Sequence, residues 1–367
     1  MPFLILAFLF YFFIILSFLY GTIRFNSKNK NKSCNLGVSV IIAIRNGEKA
    51  LLPIIGHLQQ QDYRGNIEFI LVDDESTDNT KKIISDIIFK DRRFKYYSSS
   101  QGSKHLKNKK RALDLGISNA NYNYLLFTDV DCLLPESWIS TMATYYNDGY
   151  NYLVGSSFSK YDKDSNYVSK FQATDFLLLM IMCRASAFFG YPLASSGQNQ
   201  GFTKKLYKDM GGFRKINSFL GDDTAFLQFC YKRGAKPCFI DNINAQVISR
   251  RESKISKFLI QRSRWVSDAN KIWKINKFFF TLLMGVFLFY LSLPMLFFIN
   301  AYLFITLITF KILIEYLLFY YGAFFLSSNF YFRNFILWEI FHAPYIITVG
   351  LMSYFIRFFK WKGRRLI

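Results

Sequence analysis

The sequence predicts an α/β domain with a mostly parallel, Rossmann-like sheet, flanked by membrane-spanning helices. From Val38 to Asp131, apolar β-branched runs alternate with helical patterns. Such unbroken apolar strands are typical of parallel sheets covered by helices on both faces. Long uncharged runs lie near both ends of the 367-residue chain, and 19% of its residues are aromatic, more than the core of a soluble domain requires.

The first predicted element is a membrane anchor over residues 1–22. The uncharged run over residues 3–20 would be about 27 Å long as a helix, which just crosses the hydrocarbon layer. A secretory signal is the alternative, but no Lys or Arg precedes the run and no small-residue cleavage site follows it. We therefore predict an uncleaved transmembrane anchor.

Strands and helices then alternate along the chain. The predicted strands are VSVIIAI, IEFILVDD, FKYYSSS and YNYLLFTDVD, and the helices between them contain GEKALLPIIGHLQQQ, STDNTKKIISDIIF and KNKKRALDLGISNA. In open sheets of this kind, ligands bind beyond the carboxyl ends of the strands. Asp73, Asp74, Asp129 and Asp131 all fall at that edge, so two separate strands bring acid pairs to one place.

Asp129 and Asp131 pose a chemical question. On an extended backbone residues i and i+2 point the same way, so the two carboxylates can converge. Convergent carboxylates repel each other unless a positive group lies between them. A hard-metal site, an acid/base pair and a polar turn at the end of a strand all fit this stretch. Asp73 and Asp74 at the same edge weaken the turn interpretation, because two separate turns would then each have to carry two acidic residues by chance.

The pattern is less regular beyond residue 150. Residues 176–189 are apolar but interrupted by Arg184, which predicts an interfacial or core helix too short to span a membrane. SSGQNQGFTKKLYKDMGGF predicts a Gly-rich loop and then a helix that stops at Gly-Gly. Asp222 and Asp223 stand at the head of the next helix. N-capping there explains one carboxylate but does not require two.

The C-terminal part predicts two to three membrane spans over residues 278–357 and a basic tail over 358–367. The apolar runs cover residues 278–299, 301–326 and 335–356, and the last is the weakest of them because it contains Glu339, His342 and Pro344. Lys311 and Glu315 lie one helical turn apart, so we expect them to pair inside the bundle.

Charge and cysteine content indicate the surroundings of the protein. Basic residues follow the first span at once, which predicts a cytoplasmic central region. The net charge of +21 is spread along the chain and clusters beside apolar segments, which favours anionic lipid headgroups over nucleic acid. The five cysteines show no paired spacing, which is typical of a reducing compartment.

Residues 256–277 contain QRSRW, and their basic and aromatic pattern predicts an amphipathic helix at a membrane surface. Taken in order, VSVIIAIRN, ILVDDESTDNT, KNKKRALDLGI, FTDVDC, GQNQGF through MGGF, GDDTAFL and QRSRW resemble the membrane-bound family 2 glycosyltransferases. This group includes cellulose, chitin and hyaluronan synthases and many non-processive relatives. The resembling segments cover about residues 36–268 and have spans on both sides, which makes the signal specific.

The resemblance implies a GT-A fold over residues 36–255 and transfer of a sugar, with inversion, from a nucleotide donor. It places the donor nucleotide at Ile44, Arg45, Asn46, Asp73, Asp74 and Lys109. It makes Asp129 and Asp131 the D-x-D motif that holds Mg²⁺ or Mn²⁺, with Asp129 also at the donor. Asp223 matches the general base, with Asp222 as the alternative. Gln261, Arg264 and Trp265 match the Q-x-x-R-W motif beside the donor diphosphate and the acceptor entrance.

The sequence departs from the family pattern at three positions. Ala43 stands where Pro is usual, Asn108 where Gly is frequent, and Asp222 where Glu is usual. The first two concern backbone shape, whereas the third leaves the choice of base between Asp222 and Asp223 open.

The resemblance also bounds the function. We expect a non-processive enzyme of a bacterial inner membrane, with its catalytic domain in the cytoplasm, that uses a UDP-sugar by default and a lipid or glycan acceptor. A processive polysaccharide synthase is the alternative, favoured by Q-x-x-R-W but not by the small number of C-terminal spans. A non-catalytic membrane scaffold is the alternative from another class, and retention of all three acid pairs argues against it.

Overall fold

The computed structural model describes residues 2–26, 34–159, 165–216, 223–249, 252, 254–275, 277–361 and 364–365. The helices are α1 Pro2–Arg24, α2 Glu48–Gln59, α3 Thr80–Lys90, α4 Asn108–Asn119, α5 Trp138–Asn147, α6 Tyr167–Phe188, α7 Lys204–Asp209, α8 Thr224–Tyr231, α9 Ile255–Ile275, α10 Lys277–Ile299, α11 Ala301–Phe325 and α12 Phe332–Tyr354. The strands are β1 Val38–Ile44, β2 Ile67–Asp73, β3 Phe94–Ser98, β4 Tyr124–Phe127, β5 Cys132–Leu133, β6 Tyr152–Gly155, β7 Ser157–Ser159, β8 Gln200–Thr203, β9 Pro237–Ile240, β10 Val247–Ser249, β11 Lys360–Trp361 and β12 Arg364–Arg365.

The central sheet has seven strands in the order β3-β2-β1-β4-β8-β6-β9. The first four are mutually parallel, β8 runs antiparallel to β4 and β6, and β9 is parallel to β6. Apolar side chains project from both faces of β1: Ile41 belongs to one buried cluster, and Val40 and Ile42 belong to the other. The prediction of a mostly parallel sheet covered on both faces is therefore confirmed.

Strand β8 corrects the interpretation of residues 195–203 as a loop followed directly by a helix. Gln200–Thr203 forms a buried strand between β4 and β6, and α7 begins only at Lys204. A Cβ atom at Gly201 would lie 2.8 Å from the carbonyl oxygen of Leu125, so only glycine lets the two strands approach this closely. The Gly-Gly stop is present, since Gly211 and Gly212 both have positive φ.

Among the described residues, five helices are long and apolar enough to cross a membrane, judged by length and composition. Four of them, α1, α10, α11 and α12, correspond to the predicted spans. The fifth is α6, and here the prediction of a segment too short to span is wrong, because the helix begins at Tyr167 and has 22 residues. Of its most apolar window, 72% is buried, so α6 is a core helix of the bundle, packed on α1, α11 and α12.

A buried ionic cluster joins the membrane helices. Lys311 lies 2.8 Å from Glu315 on its own helix and 2.7 Å from Glu339 on α12, and all three side chains are less than 10% exposed. The predicted pairing of Lys311 with Glu315 is thus confirmed. Tyr11 of α1 donates a hydrogen bond to Glu315, so the N-terminal helix belongs to the same bundle.

A second buried ion pair fastens the bundle to the sheet domain. Arg184 near the end of α6 donates a 2.9 Å hydrogen bond to Asp241, which follows β9. The same guanidinium donates to the backbone oxygens of Thr22 and Phe25 at the end of α1. One side chain therefore connects α6, α1 and the edge of the central sheet.

Candidate functional site

The site begins where β1 and β2 end side by side. Ile44 and Asp73 are paired in register, and the Asp74 N–H donates a 2.7 Å hydrogen bond to the Ile44 oxygen. Asp73 and Asp74 are both buried. Asp73 accepts from the backbone N–H of Ser76 at 3.1 Å, and Asp74 accepts from the Ser99 hydroxyl at 3.2 Å. The sheet therefore presents two oriented acids at its carboxyl edge.

The loops after β1 and β2 hold each other in place. Arg45 donates to the backbone oxygens of Asp74 at 2.8 Å and Glu75 at 3.2 Å. The Asn46 side chain accepts from the backbone N–H of Thr77 at 2.8 Å. Asn46 and Glu75 both have positive φ, a conformation that costs free energy and concentrates at functional sites. Arg45, Asn46, Asp73 and Asp74, which were predicted to bind the nucleotide, thus lie on or beside two loops joined by hydrogen bonds; we call these residues and loops the rim.

Lys109 reaches this edge from the start of α4. Its Nζ lies 2.7 Å from Oδ1 of Asp129, and the two side chains are 36% and 28% exposed. Asn108, which begins α4, has a φ of +54°. Among residues other than glycine, Asn tolerates this left-handed region best, which explains why Asn can replace the Gly of the family pattern.

Strand β4 ends at Phe127, so Asp129 and Asp131 do not continue it as predicted; the chain turns there, and the Cys132 N–H donates a 3.2 Å hydrogen bond to the Asp129 carbonyl oxygen. Burial raises the pKa of the Cys132 thiol well above its usual value, and the negative charges of Asp129 and Asp131 raise it further. No group of three or more His, Cys, Asp and Glu side chains that could hold a metal occurs among the described residues. Two carboxylates suit a Mg²⁺-like ion that completes its oxygen shell with water and substrate phosphate. The residues present therefore fit a divalent cation shared with a diphosphate.

Asp223 lies immediately before α8. Its Oδ1 accepts a 2.6 Å hydrogen bond from the backbone N–H of Thr224, and its Oδ2 accepts from the N–H of Gly197 at 3.2 Å. The N-cap expected for one member of the acid pair is thus Asp223. Asp222 lies outside the described residues.

Strand β8 brings Asp223 to the same edge of the sheet as Asp129. Because β8 runs antiparallel to β4 with Gln200 opposite Phe127, the loop before β8 lies at the carboxyl end of β4. That loop contains Gly197, the partner of Asp223. Tyr152 reinforces the link, since its hydroxyl donates to the Gln200 side chain at 2.9 Å.

The QRSRW segment lies on α9, which packs on α8. Gln261 accepts a 3.4 Å hydrogen bond from Gln172, and the Trp265 side chain is 37% exposed. Arg264 is partly buried. Helix α9 thus lies next to α8, the helix that Asp223 caps.

Sequence reasoning missed the ion pair between Arg111 and Glu75. Arg111, two residues after Lys109 on α4, pairs with Glu75 and donates to the Ser99 hydroxyl at 3.3 Å. It therefore joins α4 to the rim formed by the loops after β1 and β2. In the sequence Arg111 is one of several basic residues at the start of a helix. Only its position two residues after Lys109 could have indicated that it lies at the site.

Comparison with protein families gives a match for residues 39–210, to the family described as Glycosyl transferase family 2. Among curated proteins, the chain is 28% identical over 242 residues to the glycosyltransferase GlyG of Streptococcus pneumoniae serotype 4, which covers 63% of this chain and 76% of that protein. It is 27% identical over 184 residues to the GalNAc(5)-diNAcBac-PP-undecaprenol beta-1,3-glucosyltransferase of Campylobacter jejuni subsp. jejuni serotype O:2. That match covers 46% of this chain and 56% of the relative.

Among solved structures, the chain is similar to a mannosyltransferase of Pyrobaculum calidifontis determined in complex with GDP-Man and Mn²⁺. The TM-score is 0.61 at 15% sequence identity, over 96% of this chain and 98% of that chain. At this identity the likeness concerns the fold, including the helices on both sides of the sheet domain.

Proposed function

We propose that this protein, a glycosyltransferase whose residues 39–210 belong to glycosyl transferase family 2, transfers a sugar, with inversion, from a nucleotide donor to a lipid-linked or glycan acceptor. The chain has the predicted GT-A fold with flanking membrane helices. The transfer takes place at the cytoplasmic face of a bacterial inner membrane and adds a single sugar.

The contact between Lys109 and Asp129 at the carboxyl edge of the sheet carries this proposal. A cation and an acid meet there, beside the rim that contains Asp73. The base and ribose of the donor bind along the rim, with Asp73, Arg45 and Asn46 as the polar partners. The diphosphate then lies over Lys109, where an ammonium group binds phosphate oxygens as a point charge.

A divalent cation completes the donor site in this proposal. Asp129 and Asp131 supply the hard oxygen ligands that Mg²⁺ and Mn²⁺ prefer, and two carboxylates leave coordination positions for phosphate oxygens. When bound, such an ion neutralises the charge that develops on the leaving diphosphate. The mannosyltransferase with the similar fold was determined with Mn²⁺, which supports this assignment.

Asp223 is the proposed general base. Two backbone N–H groups orient its carboxylate, and a carboxylate has further lone pairs with which to accept the proton of an acceptor hydroxyl. Proton removal by a positioned carboxylate typically contributes 10²- to 10⁴-fold to the rate. Asp222, the preceding residue, is the alternative base.

The acceptor is proposed to be held in or at the membrane. Helices long and apolar enough to span a membrane flank the sheet domain, and the name of the Campylobacter relative includes a glycan carried on undecaprenol diphosphate. Addition of a single sugar is part of the proposal. QRSRW favours the processive alternative, so product length must be measured.

The test is release of nucleotide diphosphate by the purified protein in nanodiscs. UDP-, GDP- and dTDP-sugars are screened with Mn²⁺ or Mg²⁺ and with a lipid extract as acceptor. We expect release with one donor, dependent on metal, and lost in Asp131→Ala and Asp223→Asn but not in Asp86→Asn, an exposed carboxylate on α3.

The outcomes separate the alternatives. Release that survives Asp223→Asn but not Asp222→Asn moves the base by one residue. A ladder of products in place of a single addition identifies a processive synthase. Absence of release with every donor and acceptor contradicts the proposed function.

A further inference from the structure

Long side chains of helices α6 and α9 contact each other along the QRSRW segment, while α9 itself packs most closely on α12 and α10. Side chains of the first half of α6 meet side chains of α9 in the same order along both helices, so the two are matched in register. The pairs are Phe171 with Phe258 (6.0 Å between ring centroids), Gln172 with Gln261 (3.4 Å hydrogen bond), Asp175 with Arg262 (3.0 Å ion pair) and Phe176 with Trp265 (6.3 Å between ring centroids).

The ion pair between Asp175 and Arg262 lies at the centre of this match. The two side chains are 15% and 5% exposed. Tyr345 of α12 donates a 3.3 Å hydrogen bond to the same Asp175 oxygen, Oδ2, that Arg262 faces. The Arg262 guanidinium also lies over the rings of Trp265 at 4.1 Å and Phe258 at 5.2 Å, which are cation–π distances. Arg262 is thus held from several directions.

Gln172 strengthens the same contact. Its amide nitrogen donates to Gln261, and its amide oxygen accepts a 3.0 Å hydrogen bond from the backbone N–H of Glu252, just before α9. Gln172 is buried, so both hydrogen bonds are shielded from water. Helix α6 therefore holds both the QRSRW segment and the chain that leads into it.

Fixing Arg262 fixes the direction of its neighbours, because residues of an α-helix are about 100° apart around the axis. Arg264 then lies about 200° from Arg262, on the opposite side of α9. A small rotation of α9 would move Gln261, Arg264 and Trp265 together. A rotation of α9 would separate the Arg262 guanidinium from the Asp175 carboxylate, and in a buried site this loss of attraction between opposite charges is costly.

We propose that Asp175 is a positioning residue, which sets the rotation of α9 through Arg262 and thereby directs Gln261, Arg264 and Trp265 toward the donor diphosphate and the acceptor. The proposal rests on the proposed function, since it assumes that these three residues act in sugar transfer. Asp175 belongs to α6, a helix buried within the bundle, and acts through Arg262, without contact with the substrates.

The experiment compares Asp175→Asn with Asp241→Asn in nanodiscs. Both substitutions remove the charge that pairs with a buried arginine of α9 or α6, and the Arg184–Asp241 side chains are 3% and 8% exposed. Asp175→Asn should lower kcat for transfer 10- to 100-fold, the size of effect that a misplacement of about 1 Å can produce, with the donor KM within about threefold of wild type. Asp241→Asn should lower the melting temperature by a similar amount and leave kcat unchanged.

A readout without substrate keeps this inference separate from the proposed function. Hydroxyl-radical footprinting with mass spectrometry measures the exposure of Trp265, which should change in Asp175→Asn and not in Asp241→Asn. Asp175→Glu, which keeps the charge, should restore the wild-type footprint and at least part of kcat.

Two results would overturn the inference. An unchanged Trp265 footprint in Asp175→Asn shows that the ion pair does not set the position of α9, whether or not the protein transfers sugar. A loss of kcat that follows the loss of melting temperature equally in Asp175→Asn and Asp241→Asn shows a merely structural role. If the wild type releases no nucleotide diphosphate but the footprint shifts as expected, the proposed function fails and the positioning of α9 stands.

Discussion

Lys109→Met should affect metal binding and donor binding in opposite directions. Met has a similar length but no charge. In the structure the Lys109 ammonium lies 2.7 Å from Asp129, so a divalent cation that binds Asp129 without nucleotide must displace it. In the presence of metal and nucleotide, the same ammonium is expected to donate to a phosphate oxygen instead.

The size of each effect follows from the exposure of the pair. At 36% and 28% exposure, solvent screens the attraction, which we take as about 1 kcal/mol. Loss of this competitor should tighten Mn²⁺ binding about fivefold, since 1.4 kcal/mol corresponds to tenfold. A hydrogen bond to a charged phosphate contributes about 1.5–3 kcal/mol, so the donor KM should rise about 10- to 100-fold.

Electron paramagnetic resonance of free Mn²⁺ measures the first effect, and nucleotide diphosphate release measures the second. Lys205→Met is the matched control, because Lys205 pairs with Asp209 at 2.8 Å on the exposed surface of α7. The control should change neither quantity. Mn²⁺ binding that is unchanged or weaker in Lys109→Met without nucleotide would refute the view that Lys109 competes for Asp129.

Three further predictions concern other parts of the molecule. Asn108→Gly should keep activity and change the free energy of unfolding by less than about 1 kcal/mol, whereas Asn108→Val should lower the melting temperature in thermal unfolding, because a β-branched residue is strained at positive φ. Glu68→Gln should lower the free energy of unfolding by about 1–3 kcal/mol at pH 7, because the Glu68 carboxylate accepts hydrogen bonds from Ser39 and Lys95. Burial raises the pKa of Glu68, but these hydrogen bonds outweigh it and hold the pKa below the usual 4.5. The stabilisation is therefore present above pH 4.5 and lost as the pH falls through the lowered pKa, so denaturation curves of variant and wild type should converge in acid. Lys311→Met should cost about 3–5 kcal/mol, because two buried carboxylates lose their cation, and Lys311→Arg should cost less, as measured by the fraction that stays monodisperse after heating.

The half of the sheet in which strands alternate with helices could be predicted, because each of its elements has a recognisable pattern in its own stretch of sequence. β1 to β4 are continuous apolar runs separated by helices, and such a pattern has few other solutions. β8 could not be predicted in this way, since Gln200–Thr203 is short and contains a glycine. Its strand conformation comes from pairing with β4 and β6 on both sides, which no local pattern reveals.

Helix α6 was predicted too short for a related reason. Its first half contains Gln172 and Asp175, which interrupt the apolar run and find partners on α9, on α12 and in the chain just before α9. Polar residues with distant partners are indistinguishable in sequence from exposed ones.

The site residues with a characteristic spacing could be placed by resemblance, and the structure brings Asp73, Lys109 and Asp129 to one edge of the sheet. Arg111 and Asp175 have no such spacing. Their roles depend on which elements meet in space, so they became visible only with the fold.

The attachment of α1 to the end of the chain has a consequence for biosynthesis. Tyr11 bonds to Glu315, 304 residues later. At about 5–20 residues per second, a ribosome needs roughly 15–60 s to make that interval. During this time α1 can pack on α6 but lacks its contacts with α10 and α11, and most of the sheet domain is synthesised before those contacts can form. The chaperones and insertion machinery of the cell therefore meet a nascent protein in which α1 gains its full set of neighbours only after α11 has been made.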